Sequence, residues 1–182
     1  MPRSRRATSK RRAPARPRPQ RPAPPAGFRT VTPYLEVVGA SKAVEFYKSA
    51  FGARELTREM TGEGKVLHAR LRIGDSIVML SDVFEEAHRS VPATPARSPV
   101  TLHLYVPDVD LVWNRAIAAG ARSIVPLDDM FWGERYGQLL DPFGHRWSLS
   151  MRIPMSKRER DAKRLGAMKM LDAGEPPGRP EP

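Results

Sequence analysis

From Thr30 to Val38 the chain alternates, with Val31, Leu35 and Val37 on one face and Thr32, Tyr34 and Glu36 on the other, the period of a half-buried strand. Pro33 offers no amide donor, which places that strand near a sheet edge. Ser41 is the expected cap of a helix over Lys42 to Phe51, where Val44, Tyr47, Ala50 and Phe51 recur at helical spacing and Gly52 ends the run. Arg54 to Met60 and Lys65 to Ile73 read as two strands joined across Thr61-Gly62-Glu63-Gly64. The second should set Leu67, Ala69, Leu71 and Ile73 against His68, Arg70 and Arg72. Gly74-Asp75 then turns the chain into a fourth strand, Ser76 to Ser81. The predicted order is β-α-β-β-β.

Residues 83–99, with Pro92, Pro95 and Pro99, carry no period and read as a linker or flap. The pattern then restarts. Val100 to Val106 is a strand with Leu102, Leu104 and Val106 opposite Thr101, His103 and Tyr105. Asp108 caps a helix through Ala119 whose stripe is Val109, Val112, Trp113, Ala116 and Ile117, and Gly120 ends it. Arg122 to Val125 gives the next strand. A loop carrying Trp132 and Arg135 follows, then a hairpin of Tyr136 to Leu140 and His145 to Ser150 around Asp141-Pro142-Phe143-Gly144. Ala50-Phe51-Gly52-Ala53-Arg54 recurs as Ala118-Ala119-Gly120-Ala121-Arg122, 68 residues on, and Gly74 corresponds to Gly144, 70 residues on. A supersecondary unit is therefore duplicated. The expected fold is α+β: one domain over residues 28–153, with a first βαβββ module at 28–82 and a second at 100–153. Residues 154–182 form a tail with its own helix, opened by a capping box of Ser156 and Glu159 and closed by Gly174, Pro176 and Pro177; Leu165, Met168 and Leu171 are its docking face.

Charge separates the ends from the middle. Of the formal net charge of +11, nine basic residues and no acid lie in residues 1–27, whereas residues 28–155 balance. Residues 1–27, rich in Arg, Pro and Ala, cannot bury enough apolar surface to order themselves and are expected to be disordered. They are either a solubilising tail or a tether to nucleic acid, since clustered arginines displace counterions from phosphates. Absence of cysteine fits a reducing compartment. No apolar run reaches the roughly 18 residues of a membrane helix, and prolines replace the apolar segment an export signal would need after the arginine pairs. A cytoplasmic protein with no membrane partner is expected.

The two β-α-β-β-β units, their A-x-G-A-R helix ends, the Asp141-Pro142-Phe143-Gly144-His145 turn and the phrase T-P-Y-L-E-V…E-F-Y-K-S-A-F-G-A together resemble the vicinal oxygen chelate superfamily of glyoxalases, bleomycin-resistance-type proteins and extradiol dioxygenases. The resemblance covers about Phe28 to Ile153. It implies paired modules curling their sheets into a cup for a small ligand, often completed across a homodimer. It also implies metal-ligand positions that fall here at Thr32, Val78 or Met79, Thr101 and Ser148, none of which carries imidazole or carboxylate. No metal cofactor is therefore expected; a displaced divalent site would have to use Glu36, His68 and His103. The expected pocket walls are Tyr34, His68, His103, Tyr105 and Ser148 from the polar strand faces, with Trp132 to stack on a planar ring and Arg135 to take a carboxylate, phosphonate or enolate. The alternatives for the last two are a lid plug and a salt bridge to Glu134 or Asp141. Trp113 and Trp147 should be core, and His88 and His145 surface. The function expected is metal-free binding of a small organic molecule, of the drug-sequestering kind. Its rivals are a lyase-, isomerase- or dioxygenase-type enzyme of the same superfamily, with His68 or His103 as base in the lyase or isomerase case, and nucleic-acid association through residues 1–27.

Overall fold

The computed structural model describes residues 24–84 and 99–174. The expectations for most of the basic tail, for most of the linker with His88, and for the prolines that end the last helix lie outside the described residues. Each module is built as the pattern requires. The first holds β1 (Tyr34–Val37), α1 (Ala40–Phe51), β2 (Arg54–Met60), β3 (Val66–Ile73) and β4 (Ser76–Asp82); the second holds β5 (Thr101–Tyr105), α2 (Val109–Ala118), β6 (Arg122–Met130), β7 (Glu134–Leu140) and β8 (Arg146–Arg152); α3 (Lys157–Asp172) follows. The sheets have the same topology, β1-β4-β3-β2 and β5-β8-β7-β6, with the first strand of each parallel to the last and the remaining pairs antiparallel. The duplication seen in the sequence is thus a duplication of fold. Gly52 and Gly120, its equivalent, both take positive φ as they end the two helices.

Several features differ from expectation, each for a physical reason. Ser41 is not the cap of α1: the helix begins at Ala40 behind Gly39, and the Asp82 carboxylate at the end of β4 accepts the Gly39 and Ala40 amides, both at 2.9 Å. β1 is shorter than the alternating run, and Val31 is exposed. Leu67 faces solvent and Val66 takes its inner place, because Leu67 is an extra residue in a bulge where β3 passes from pairing Met60 to pairing Glu59. β6 continues past Val125 to Met130 despite Pro126. It can do so as an edge strand whose pairing shifts register between Val125 and Asp128.

One core serves both modules. α1 lies at its centre, where Tyr47 and Phe51 pack against Trp147 of β8 at ring separations of 5.4 and 4.6 Å. The modules join through α1, α2 and this aromatic contact. Tyr47 also donates a 2.8 Å hydrogen bond to Asp141, which accepts from the Trp147 indole and from the amides of Phe143 and His145. Trp147 is buried as expected; Trp113 is partly buried, lying over Gly137 with its ring where a β-carbon would stand. His145 is largely enclosed, its Nδ1 3.7 Å from Asp141, so it belongs to the turn's interior and not to the surface.

Candidate functional site

With the core on one side of each sheet, strand alternation sends the remaining side chains to the other. On the first sheet this polar face holds Tyr34 and His68, whose rings lie 5.7 Å apart and whose hydroxyl and Nδ1 make a long 3.4 Å contact. Tyr34, Met60 and Leu67 remain exposed beside them. Glu36 shares the Tyr34 face of β1, opposite Ser81 of β4.

The second sheet carries a denser group. His103 and Ser148, cross-strand partners on β5 and β8, share a 2.7 Å hydrogen bond. Tyr105, His103, Tyr136 and Trp132 follow one another at ring separations of 4.5, 6.2 and 5.6 Å. Glu134 ties this row together: it accepts from Tyr105 at 3.1 Å, Trp132 Nε1 at 3.1 Å and Ser150 Oγ at 2.7 Å. Burial works against its charge, yet the bonds from Ser150, Tyr105 and Trp132, with His103 near, outweigh burial and hold the carboxyl below the ordinary glutamate range. Gln138 donates to the Tyr136 hydroxyl at 2.6 Å.

Five of the expected wall residues therefore assemble in two groups, Tyr34 with His68 and Tyr105 with His103 and Ser148, and Trp132 joins the second. The groups sit on separate sheets. Arg135 is corrected: it points to the helix side of β7, bonded to Asp110 of α2 at 2.8 Å and Asp129 of β6 at 3.1 Å. The reason is that β7 starts at Glu134, two residues before the expected Tyr136, so alternation groups Glu134, Tyr136 and Gln138 and turns Arg135 away. The same two-residue extension is the signal that would have placed Glu134 on the face that Tyr136 and Gln138 share. Ser150 follows from the alternation of β8.

The donor set does not suit a divalent ion. Thr32 bonds its own loop at the Arg29 carbonyl, Thr101 offers one hydroxyl, and Ser148 is engaged by His103. Glu134 is the carboxylate nearest His103 that the bonds above identify, and three protein hydrogens already occupy its oxygens. Glu36 and His68 lie on the first sheet and His103 on the second, and among the described residues no cluster of three or more His, Asp or Glu could hold a metal.

Residues 35–149 match the family model described as glyoxalase/bleomycin resistance protein/dioxygenase superfamily. An uncharacterized protein of Mycobacterium tuberculosis is 44% identical over 126 residues, 68% of this chain and 74% of its own. The crystal structure of TioX from a Micromonospora species superposes with a TM-score of 0.53 at 30% identity, covering 68% of this chain and 99% of TioX. The fosfomycin resistance protein FosX of Listeria monocytogenes, solved with Mn(II) and sulfate, shares the fold at 16% identity and a TM-score of 0.52 over 71% of this chain and 94% of its own. With matching modules, matching order and a family model spanning most of both, the chain belongs to the glyoxalase/bleomycin resistance protein/dioxygenase superfamily.

Proposed function

We propose that the protein binds a planar organic molecule on the polar face of the second sheet, without a metal ion, as a sequestering protein of the drug-resistance kind. The observation that carries this reading is the row of Tyr105, His103, Tyr136 and Trp132, with Tyr105 67% and Trp132 42% exposed. Exposed rings fixed by hydrogen bonds to Glu134 offer stacking surface at little further cost in ordering, which suits a flat ligand. A single chain leaves this face open, as it leaves the Tyr34 and His68 face open. A homodimer that sets the first sheet of one chain over the second sheet of its partner would close two cups. Membership of a superfamily that includes bleomycin resistance proteins supports the class of ligand.

Native mass spectrometry of protein purified without chelator tests all three parts. The expected result is a dimer, no stoichiometric metal, and uptake of bleomycin or of a planar aromatic compound from a panel, lost in Tyr136→Ala. A monomeric protein that takes up no member of the panel would end the reading.

A second reading has its own support. The Ser148 bond fixes the His103 ring through Nδ1, and in the tautomer whose Nδ1–H donates to Ser148 Oγ the lone pair is on Nε2, which has no hydrogen-bond partner among the described residues, the arrangement of a general base at a carbon beside a carbonyl. Proton exchange into a bound ketone or thiohemiacetal that vanishes in His103→Gln, with binding retained, would favour it over sequestration.

A further inference from the structure

α3 lies beyond the span that matches the family and is held over the edge of the second sheet. Its capping box closes as Ser156 and Glu159 exchange hydrogen bonds, and Lys163 donates to the Asp129 carbonyl at 2.7 Å. Between this helix and Phe131-Trp132 is a cavity of about 430 Å³, within the range of small-molecule sites. One helical face lines it, Arg160, Asp161, Arg164, Ala167 and Met168, facing an indole and a phenyl ring set edge to face 5.0 Å apart. Leu165, expected to dock, points to solvent instead.

The two arginines are unlike Arg58 and Arg135 of the modules. Arg58 and Arg135 are each bonded to two carboxylates. Among the described residues neither the Arg160 nor the Arg164 side chain has a carboxylate within ion-pair distance, although Asp161 lines the same space. Like charges one helical turn apart repel, and an anion between them removes that repulsion. Guanidinium forks match a carboxylate, and the opposite wall of rings, with Met168 at the end of the helical face, matches an apolar plane.

We propose that this cavity is a binding site for a small aromatic carboxylate, its anion held by Arg160 and Arg164 and its ring laid against Trp132 and Phe131. The site shares Trp132 with the ring row but uses none of the row's other rings and needs no partner chain.

Isothermal titration of the full chain with 1-naphthoate and with its neutral counterpart 1-naphthalenemethanol tests it. Naphthoate binds at least tenfold more tightly than the alcohol, and the difference shrinks as salt rises. Arg160→Gln with Arg164→Gln, which keeps helix propensity, weakens naphthoate at least tenfold and leaves the alcohol unchanged. Arg160→Lys with Arg164→Lys falls between, which separates loss of charge from any loss of helix. Tyr105→Ala leaves naphthoate binding intact. Absence of naphthoate binding, equal affinity in the Gln pair, or loss in Tyr105→Ala with the Gln pair unaffected would each overturn the proposal.

Discussion

Tyr47→Phe removes one hydroxyl from the join between the modules. Tyr47 is fully buried on α1, and Asp141, 94 residues away, is 4% exposed. A hydrogen bond to an ionised buried acceptor contributes about 1.5–3 kcal/mol. Asp141 keeps the Trp147 indole and two amides as donors, so the lower part of that range applies, about 1.5–2 kcal/mol. Asp141→Asn is harsher: an amide nitrogen faces donors where an oxygen accepted them, and leaving the Tyr47 and Trp147 hydrogens unpaired costs about 3–5 kcal/mol. The double variant should be less damaged than the sum by about 1.5 kcal/mol, since both changes break the same bond. Urea unfolding followed by tryptophan fluorescence and circular dichroism measures all three. The pH dependence has a definite sign. Burial opposes the Asp141 charge, but His145, the Trp147 indole and the His145 amide hold its carboxyl below the ordinary range. A depressed folded-state pKa stabilises fully above the unfolded value near 4 and progressively less as pH falls through the folded value. The deficit of Tyr47→Phe should therefore be constant between about pH 5 and 8 and fade only below about pH 4. A deficit under about 0.5 kcal/mol, or an additive cycle, would refute the claim that this bond couples the modules.

Gly137→Ala should destabilise by about 1–3 kcal/mol, because its β-carbon would stand 2.5 Å from Trp113 Cζ3 and 3.1 Å from the Leu127 backbone; pairing it with Trp113→Leu should recover part of the loss in thermal melts. Asp82→Asn should cost about 1–3 kcal/mol, since one carboxylate serves the α1 amides and, at 2.7 Å, the Val66 amide; an unchanged urea midpoint would count against the cap. Glu134→Gln should change stability by less than about 1 kcal/mol but weaken planar ligands on the ring row, because the Tyr105, Trp132 and Ser150 donors lose a shared anion; calorimetry with the best ligand of the panel checks it.

The repeat made the fold legible. Alternation in Thr101–Tyr105 and Arg146–Ser150 gave correct faces because neither strand carries a bulge, whereas in β3 the extra Leu67 reversed the assignment of the residues before His68. Ser41 looked like a cap because its residue type favours that place, but Asp82, distant in sequence, supplies the acceptor. A cap donated from another strand leaves no local signature. The candidate site was half legible for the same reason. Tyr34, His68, His103, Tyr105 and Ser148 follow from strand parity alone. Arg135 does not, because a loop was expected where β7 already runs, and its placement depends on two carboxylates on α2 and β6.

The division of charged groups bears on what kind of ligand this chain can recognise. In the second sheet Glu134 is committed to three protein donors and His103 is held by Ser148, so the ring row presents flat surface and one imidazole edge, with the exposed Asp128 opposite Tyr136 on β6. Arg135, the cation nearest in sequence, is committed on the far side of β7. Within the modules Arg152, the cross-strand partner of Glu134, is the cation at this edge, and α3 adds Arg160 and Arg164 one turn apart against the same indole that ends the ring row. A chain of the two modules alone would keep the stacking surface and Arg152 but lose the paired guanidinium groups of α3. Stopping this chain after Pro154 should reproduce that change, leaving the melting temperature nearly unaltered because α3 contributes no residue to the buried core, while 1-naphthoate falls to the affinity of its neutral alcohol.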